Sequence, residues 1–251
     1  MPDTVNTNRE HDLVAPLPGQ RKVRLLLWGG AATPGDNSAF ACSARRVAAD
    51  YKASGPTDFV LIEKKVLVAT DIVNTINAQD DDSIRSLDIF THGGPQALYL
   101  TTASADTNKV LRFFLHNSSL YRSRAHMIFN AAGWTEGAAL VRSIDFAKFA
   151  GNAKIELHAC KTADTEREAD TLTLELSARL SKAGKRDAMV IGHADKANPN
   201  INGGGERFAE QDYRHGQRVA LHNGEVVLVT QQKGQISERE LEALAAGTRD
   251  A

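Results

Sequence analysis

SLDIFTHGG, residues 86–94, decides the architecture of this chain. A run of strand-forming residues stops abruptly at a histidine followed by two glycines. A second stretch, AKIELHAC (residues 153–160), repeats the device, with an apolar run closing on alanine and cysteine. Two strands that each deliver a reactive side chain at their carboxyl end imply an open sheet whose strands run the same way, because ligands in such sheets bind beyond that edge.

The segments on either side fit this arrangement. KVRLLLWGG (22–30) reads as a strand ending in glycines, followed by a helix over 39–53. DFVLIEKKV (58–66) is a second strand, and Thr70 is positioned to cap a short helix through DIVNTINAQ. IRSLDIF (84–90), AKIELHA (153–159) and DAMVIGHA (187–194) supply three more strands. Between the last two, Thr165 and Glu168 form a capping box, Leu172, Leu176, Leu180 and Ala183 share a helix face, and Gly184 ends it. Strands alternating with helices predict an α/β fold with a largely parallel central sheet covered on both faces.

Residues 95–150 break the rhythm. They contain ALYLTT and two expected helices, over 107–115 and 138–150. The segment KANPNINGGGERF (196–208) reads as a loop, and RVALHNGEVVLVT as a hairpin turning at Asn223-Gly224. Ser237 and Glu240 make a final capping box, with Ile236 stapled onto Leu241. The expected organisation is a polar arm over 1–20, a main domain over 21–210, and a hairpin and helix over 211–251 packed on the same domain.

The chain has 251 residues, 42% apolar and 24% charged, with a formal net charge of -1. That balance gives no electrostatic reason to expect nucleic acid or an anionic membrane as partner. No apolar run is long enough for a membrane span, and the N-terminus lacks the pattern of a Sec signal. Cytoplasmic residence or export by a signal-less route is the expectation. Two cysteines are too few for a disulfide framework. Cys42 lies in a helix and reads as a small buried hydrophobe.

Cys160 and His92 are the chemical candidates. If their strands are neighbours, the thiolate can attack a carbonyl while the imidazole manages the proton. The helix expected from Thr165 would aim its N-terminus at Cys160 and favour the thiolate. Gly93 permits close backbone approach, and its amide beside that of Cys160 would serve a developing oxyanion.

An apolar block closing on His-Gly, followed later by an apolar block closing on Ala-Cys, resembles the caspase-like, clan CD cysteine peptidases. The similarity is carried by THGGPQALYL and IELHACKTA, in the style of bacterial gingipain-type and toxin self-processing domains. It covers about residues 84–100 and 153–165. The resemblance implies a three-layer caspase-like sandwich, His92 as catalytic histidine and Cys160 as nucleophile. It further implies thiol-protease hydrolysis of a protein or peptide substrate through an acyl-enzyme, without cofactor or metal. Self-processing within 116–137 or 196–208, and a bacterial effector role, follow by analogy only.

Other residues have two readings each. His158 either lines the pocket or tunes the thiol, or is a hydrogen-bonded structural histidine. Trp28 either walls the site or packs in the core. Asp164, Asp195 and Glu206 would make the pocket acidic and favour Lys or Arg, or are simply solvated. The cluster QDDDS (79–83) is a cation site or a solvated turn. A rival enzyme, a zinc-dependent hydrolase, would use His92, His158, His193 and Asp164. A non-enzyme rival is a catalytically silent caspase-like interaction domain. The chain has no GxSxG, no HExxH and no phosphate loop.

Overall fold

Leu25, Leu26 and Leu27 are completely buried although they point alternately to opposite faces, so the first strand is covered on both sides. Burying each such side chain is worth roughly 1.5–3 kcal/mol relative to exposure. The computed structural model describes residues 21–31, 34–54, 59–100, 118–122, 138–164, 170–200 and 211–247.

Seven strands make the main sheet. They are β1 (Lys22–Gly29), β2 (Phe59–Val66), β3 (Ile84–Phe90), β8 (Phe149–His158), β9 (Met189–His193), β10 (Arg218–His222) and β11 (Glu225–Thr230). Their order is β11-β10-β9-β8-β3-β1-β2; β2, β1, β3, β8 and β9 are mutually parallel, and β10 runs antiparallel to both β9 and β11. The hairpin therefore belongs to the main sheet. Its turn works because Asn223 and Gly224 both adopt positive φ, 52° and 85°, as a two-residue type I′ turn requires.

Helices cover both faces of this α/β sandwich. On one face α1 (Pro34–Ser54) packs Phe40, Val47 and Tyr51 against Leu26 and Phe90. On the other, α2 (Ala69–Asn77) and α3 (Leu172–Lys182) join a core containing Leu25, Leu27, Leu87, Ile89, Ile155, Leu157 and Val190. The last helix, α4 (Glu238–Gly247), is capped by Ser237, whose hydroxyl accepts the Glu240 amide; Ile236 and Leu241 are buried with Met189 and Ile191. A second sheet, β4 (His92–Gly94), β5 (Ala97–Leu100), β6 (Ser118–Tyr121) and β7 (Ala139–Leu140), continues directly from β3.

Four local expectations change. The helix expected over 138–150 is instead β7, two 3-10 turns (Val141–Ser143 and Phe146–Lys148) and the start of β8. The cap of α2 is not Thr70: the Asp71 carboxylate accepts the Leu67 and Val68 amides. Helix α3 starts at Leu172, capped by the Thr171 hydroxyl, seven residues after Thr165. Cys42 is half-buried rather than buried. Residues 107–115, most of the 116–137 loop, Thr165, Glu168, Glu206 and most of the 196–208 loop lie outside the described residues. Among the described residues no helix is long and apolar enough to cross a membrane.

Candidate functional site

β3 and β8 are adjacent and parallel, with Phe90 paired to His158 as the last partners in register. Two residues further along each chain stand His92 and Cys160. Neighbouring strands run about 4.8 Å apart, so the register brings these two positions to the same stretch of the sheet's carboxyl edge. The strand order reverses at β1 and β3, the kind of switch point at which open α/β sheets bind ligands.

A cleft of about 360 Å³ opens there. His92 and Cys160 both line it, with Thr91 and Ala159 beneath them. Gly35, Asp36, Ala39 and Phe40 of α1 form one wall, and Ala197, Pro199, Gln211 and Tyr213 the other. The C-terminal segment thus contributes to the cleft, so a boundary at residue 210 would cut through the site.

Gly93 shows why glycine follows the histidine. A Cβ at Gly93 would lie 2.9 Å from the Ala159 Cβ, closer than such atoms approach. Glycine lets the His92 segment lie directly against the Cys160 segment while turning back into β5, where His92 pairs with Tyr99 and Gly93 with Leu98. The Thr91 hydroxyl donates to the Tyr99 carbonyl at 3.0 Å and pins the turn.

The imidazole of His92 is held from α1. Its Nε2 lies 3.3 Å from an Asp36 carboxylate oxygen, and its ring meets Phe40 edge-on with centroids 5.4 Å apart. Asp36 sits in the first turn of α1, where the helix dipole favours a carboxylate. Cys160 is half-buried, and its thiol faces the Ala197 carbonyl at 3.8 Å. Tyr213 is 7% exposed; burial raises its phenol pKa, and the carboxylate of Asp36 pushes it the same way, so the hydroxyl keeps its proton.

Helix α3 does not aim free amides at Cys160. The Leu172 amide donates to the Pro95 carbonyl at 2.6 Å and the Thr173 amide to the Thr162 carbonyl at 3.2 Å. Its first turn is satisfied by the chain around it, so it offers Cys160 no free amide to favour a thiolate.

His158 is fully buried and does not line the cleft. Its Nε2 is 3.0 Å from Asp88, and its ring stacks on Phe90 at 4.1 Å, within 4° of parallel. Asp88 also accepts from Tyr51 at 2.6 Å and from Lys154 at 3.2 Å. Lys154 donates to Glu156 at 2.9 Å, and Glu156 accepts from Arg218 at 2.8 Å. Burial works against both carboxylates, but Lys154 and His158 hold Asp88 below its ordinary pKa, and Lys154, His158 and Arg218 hold Glu156 well below. Burial works against the Lys154 ammonium too, and Asp88 and Glu156 outweigh it, raising its pKa.

The zinc alternative is not assembled. Among the described residues one group of three potential ligands converges, Asp88, Glu156 and His158, and Lys154 already supplies the cation that bonds both carboxylates. His193 is buried, and burial followed by repulsion from His158 lowers its pKa to about 3. His92 is in the cleft, and Asp164 pairs with Lys161 at 3.8 Å.

Of the remaining candidates, Trp28 packs with the α1 layer, with the Lys65 ammonium 5.8 Å from its ring. Asp195 is exposed, and its carbonyl accepts the Lys161 amide. Neither these two nor Asp164 lines the cleft. In QDDDS, Asp81 pairs with Lys148 and Asp82 with Lys185, so this turn is held by lysines. Sequence reasoning missed Asp36, Phe40 and Tyr213. An acid in the first turn of the helix after β1 was the one signal that could have pointed to Asp36.

The sequence matches no protein-family model and no curated protein.

Proposed function

We propose that the protein is a cysteine endopeptidase of caspase-like type, with Cys160 as nucleophile and His92 as its proton carrier. The observation that carries this reading is the placement of both side chains in one cleft, at the carboxyl ends of adjacent parallel strands.

The Cys160 sulfur attacks the carbonyl carbon of a bound peptide, and the thiol proton passes to His92. Because Nε2 of His92 faces Asp36, Nδ1 is the nitrogen free to receive it. Asp36 orients the ring and stabilises the imidazolium that forms. The amides of Gly93 and Cys160 are the proposed donors to the oxyanion. His92 then protonates the leaving amine, and water hydrolyses the thioester. The walls supplied by Phe40, Ala39, Ala197, Pro199 and Tyr213 offer apolar and aromatic surface to the substrate.

A peptide-derived electrophile tests the assignment. Mass mapping is expected to find the adduct on Cys160 and not on Cys42, with labelling suppressed in His92→Ala. Equal labelling of the two cysteines, or labelling unaffected by loss of His92, contradicts it. Stable capture of a protein partner with no covalent turnover would favour the silent interaction domain.

A further inference from the structure

A cavity of about 550 Å³ lies apart from the proposed catalytic cleft. It opens at the opposite, amino-terminal edge of the strands, where Lys22 and Arg24 of β1, Phe59 of β2 and Arg85 of β3 face Gln235, Ser237 and Glu238. Its volume falls within the range of small-molecule sites, roughly 300–1,000 Å³.

The walls are unusually cationic for a buried location. Arg24 is nine-tenths buried, with its guanidinium 4.4 Å from the Tyr51 ring centroid and 4.8 Å from that of Phe59. One carboxylate, Glu238, bridges the two arginines: Oε1 accepts from Arg24 at 2.6 Å and Oε2 from Arg85 at 2.9 Å. Glu242, more than half exposed, adds a contact to Arg85 at 3.2 Å. Lys22, Arg24 and Arg85 give the cavity three positive charges against the single negative charge of Glu238 within its walls. Arg24 Nε is buried and has no hydrogen-bond partner, which is costly unless something else accepts from it.

We propose that this cavity binds a small organic acid, whose carboxylate joins Arg24 and Arg85 beside Glu238 and whose carbon skeleton lies against Phe59. The planar guanidinium fork suits a carboxylate, and the Glu238 bridge shows that these two arginines accept one between them. Lys22 at the mouth supplies the charge for a second carboxylate, so a dicarboxylate fits better than a monoacid. The site is separated from His92 and Cys160 by the length of the strands and does not depend on peptidase activity.

Calorimetry of the full chain with succinate, citrate and inorganic phosphate at constant ionic strength tests the proposal. Saturable binding of a carboxylate is expected, weakened at least about tenfold in Arg85→Gln and in Lys22→Gln, where one tenfold step corresponds to about 1.4 kcal/mol. Both are partly exposed positions, and unchanged circular dichroism establishes that the variants are folded. Cys160→Ala is expected to bind like the wild type. No saturable binding of either carboxylate, equal binding by folded Arg85→Gln, or tighter binding of phosphate than of carboxylate overturns it.

Discussion

Replacing Lys154 by methionine is the perturbation whose consequence follows most directly from the structure. Lys154 is 7% exposed, and the two carboxylates it bonds, Asp88 and Glu156, are 0% and 1% exposed. Arg218 also bonds Glu156 and His158 also bonds Asp88, but among the described residues Lys154 is the one side chain that bonds both buried carboxylates. Methionine keeps the length of the side chain but removes the cation that both buried carboxylates bond. Removing one partner of a buried pair costs about 3–5 kcal/mol, a large share of the roughly 5–15 kcal/mol total stability of a domain. The loss has a pH signature. In the wild type the depressed carboxylate pKa values stabilise the fold above the unfolded value near 4, and this contribution is lost as pH falls through the folded values. In Lys154→Met burial dominates and raises those pKa values, so the native state takes up a proton and the deficit shrinks as pH falls from 7 to 5. Urea denaturation at both pH values is the assay, with Lys154→Met/Asp88→Asn recovering part of the loss at pH 7. A deficit under about 1 kcal/mol, or one that does not change with pH, refutes the view that Lys154 holds this network together as a desolvated unit.

Three further outcomes follow from the geometry. Gly93→Ala pushes a Cβ to 2.9 Å from that of Ala159, and the displacement of the His92 segment is expected to lower kcat about 100-fold with the fold intact, read by steady-state kinetics beside circular dichroism. Asp36→Ala removes the carboxylate from a half-exposed pair and is expected to lower kcat about tenfold with little change in KM; an unchanged kcat removes Asp36 from the mechanism. His193, neutral in the fold with its pKa near 3, must gain a proton on unfolding below its ordinary value of 6.5. Stability present above pH 6.5 is therefore lost as pH falls, by up to about 1.4 kcal/mol per unit, and the folded His193→Leu variant should lack that slope in chemical denaturation.

The five parallel strands were legible in the sequence as apolar runs, such as KVRLLLWGG and DAMVIGHA, which are buried on both faces; the edge strand β2 was legible although it is mostly exposed or half-buried. The shared cleft was legible as well, since His92 and Cys160 needed only the adjacency of β3 and β8 to line it together. What stayed hidden depends on contacts distant in sequence. Lys154, Glu156 and His158 alternate along β8 like a solvated face, yet they are buried because Asp88, Tyr51 and Arg218 arrive from other elements. Phe146 and Phe149 have helical spacing, but the segment instead feeds β8. Thr165 and Glu168 make a good local cap; the observed start of α3 at Leu172 coincides with Pro95 and Thr162 carbonyls accepting its first amides. Asp36 and Tyr213 reach the cleft from opposite ends of the chain, and no local motif links them.

The central idea is that an imidazole and a sulfur from two separate segments act as one unit on a peptide bond. Cleavage of a diverse peptide library by purified protein measures it, with Cys160→Ala and His92→Ala as folded controls. Turnover by the wild type, abolished in Cys160→Ala and reduced about 100-fold or more in His92→Ala, is the expected result. Cleavage that survives in Cys160→Ala would contradict it.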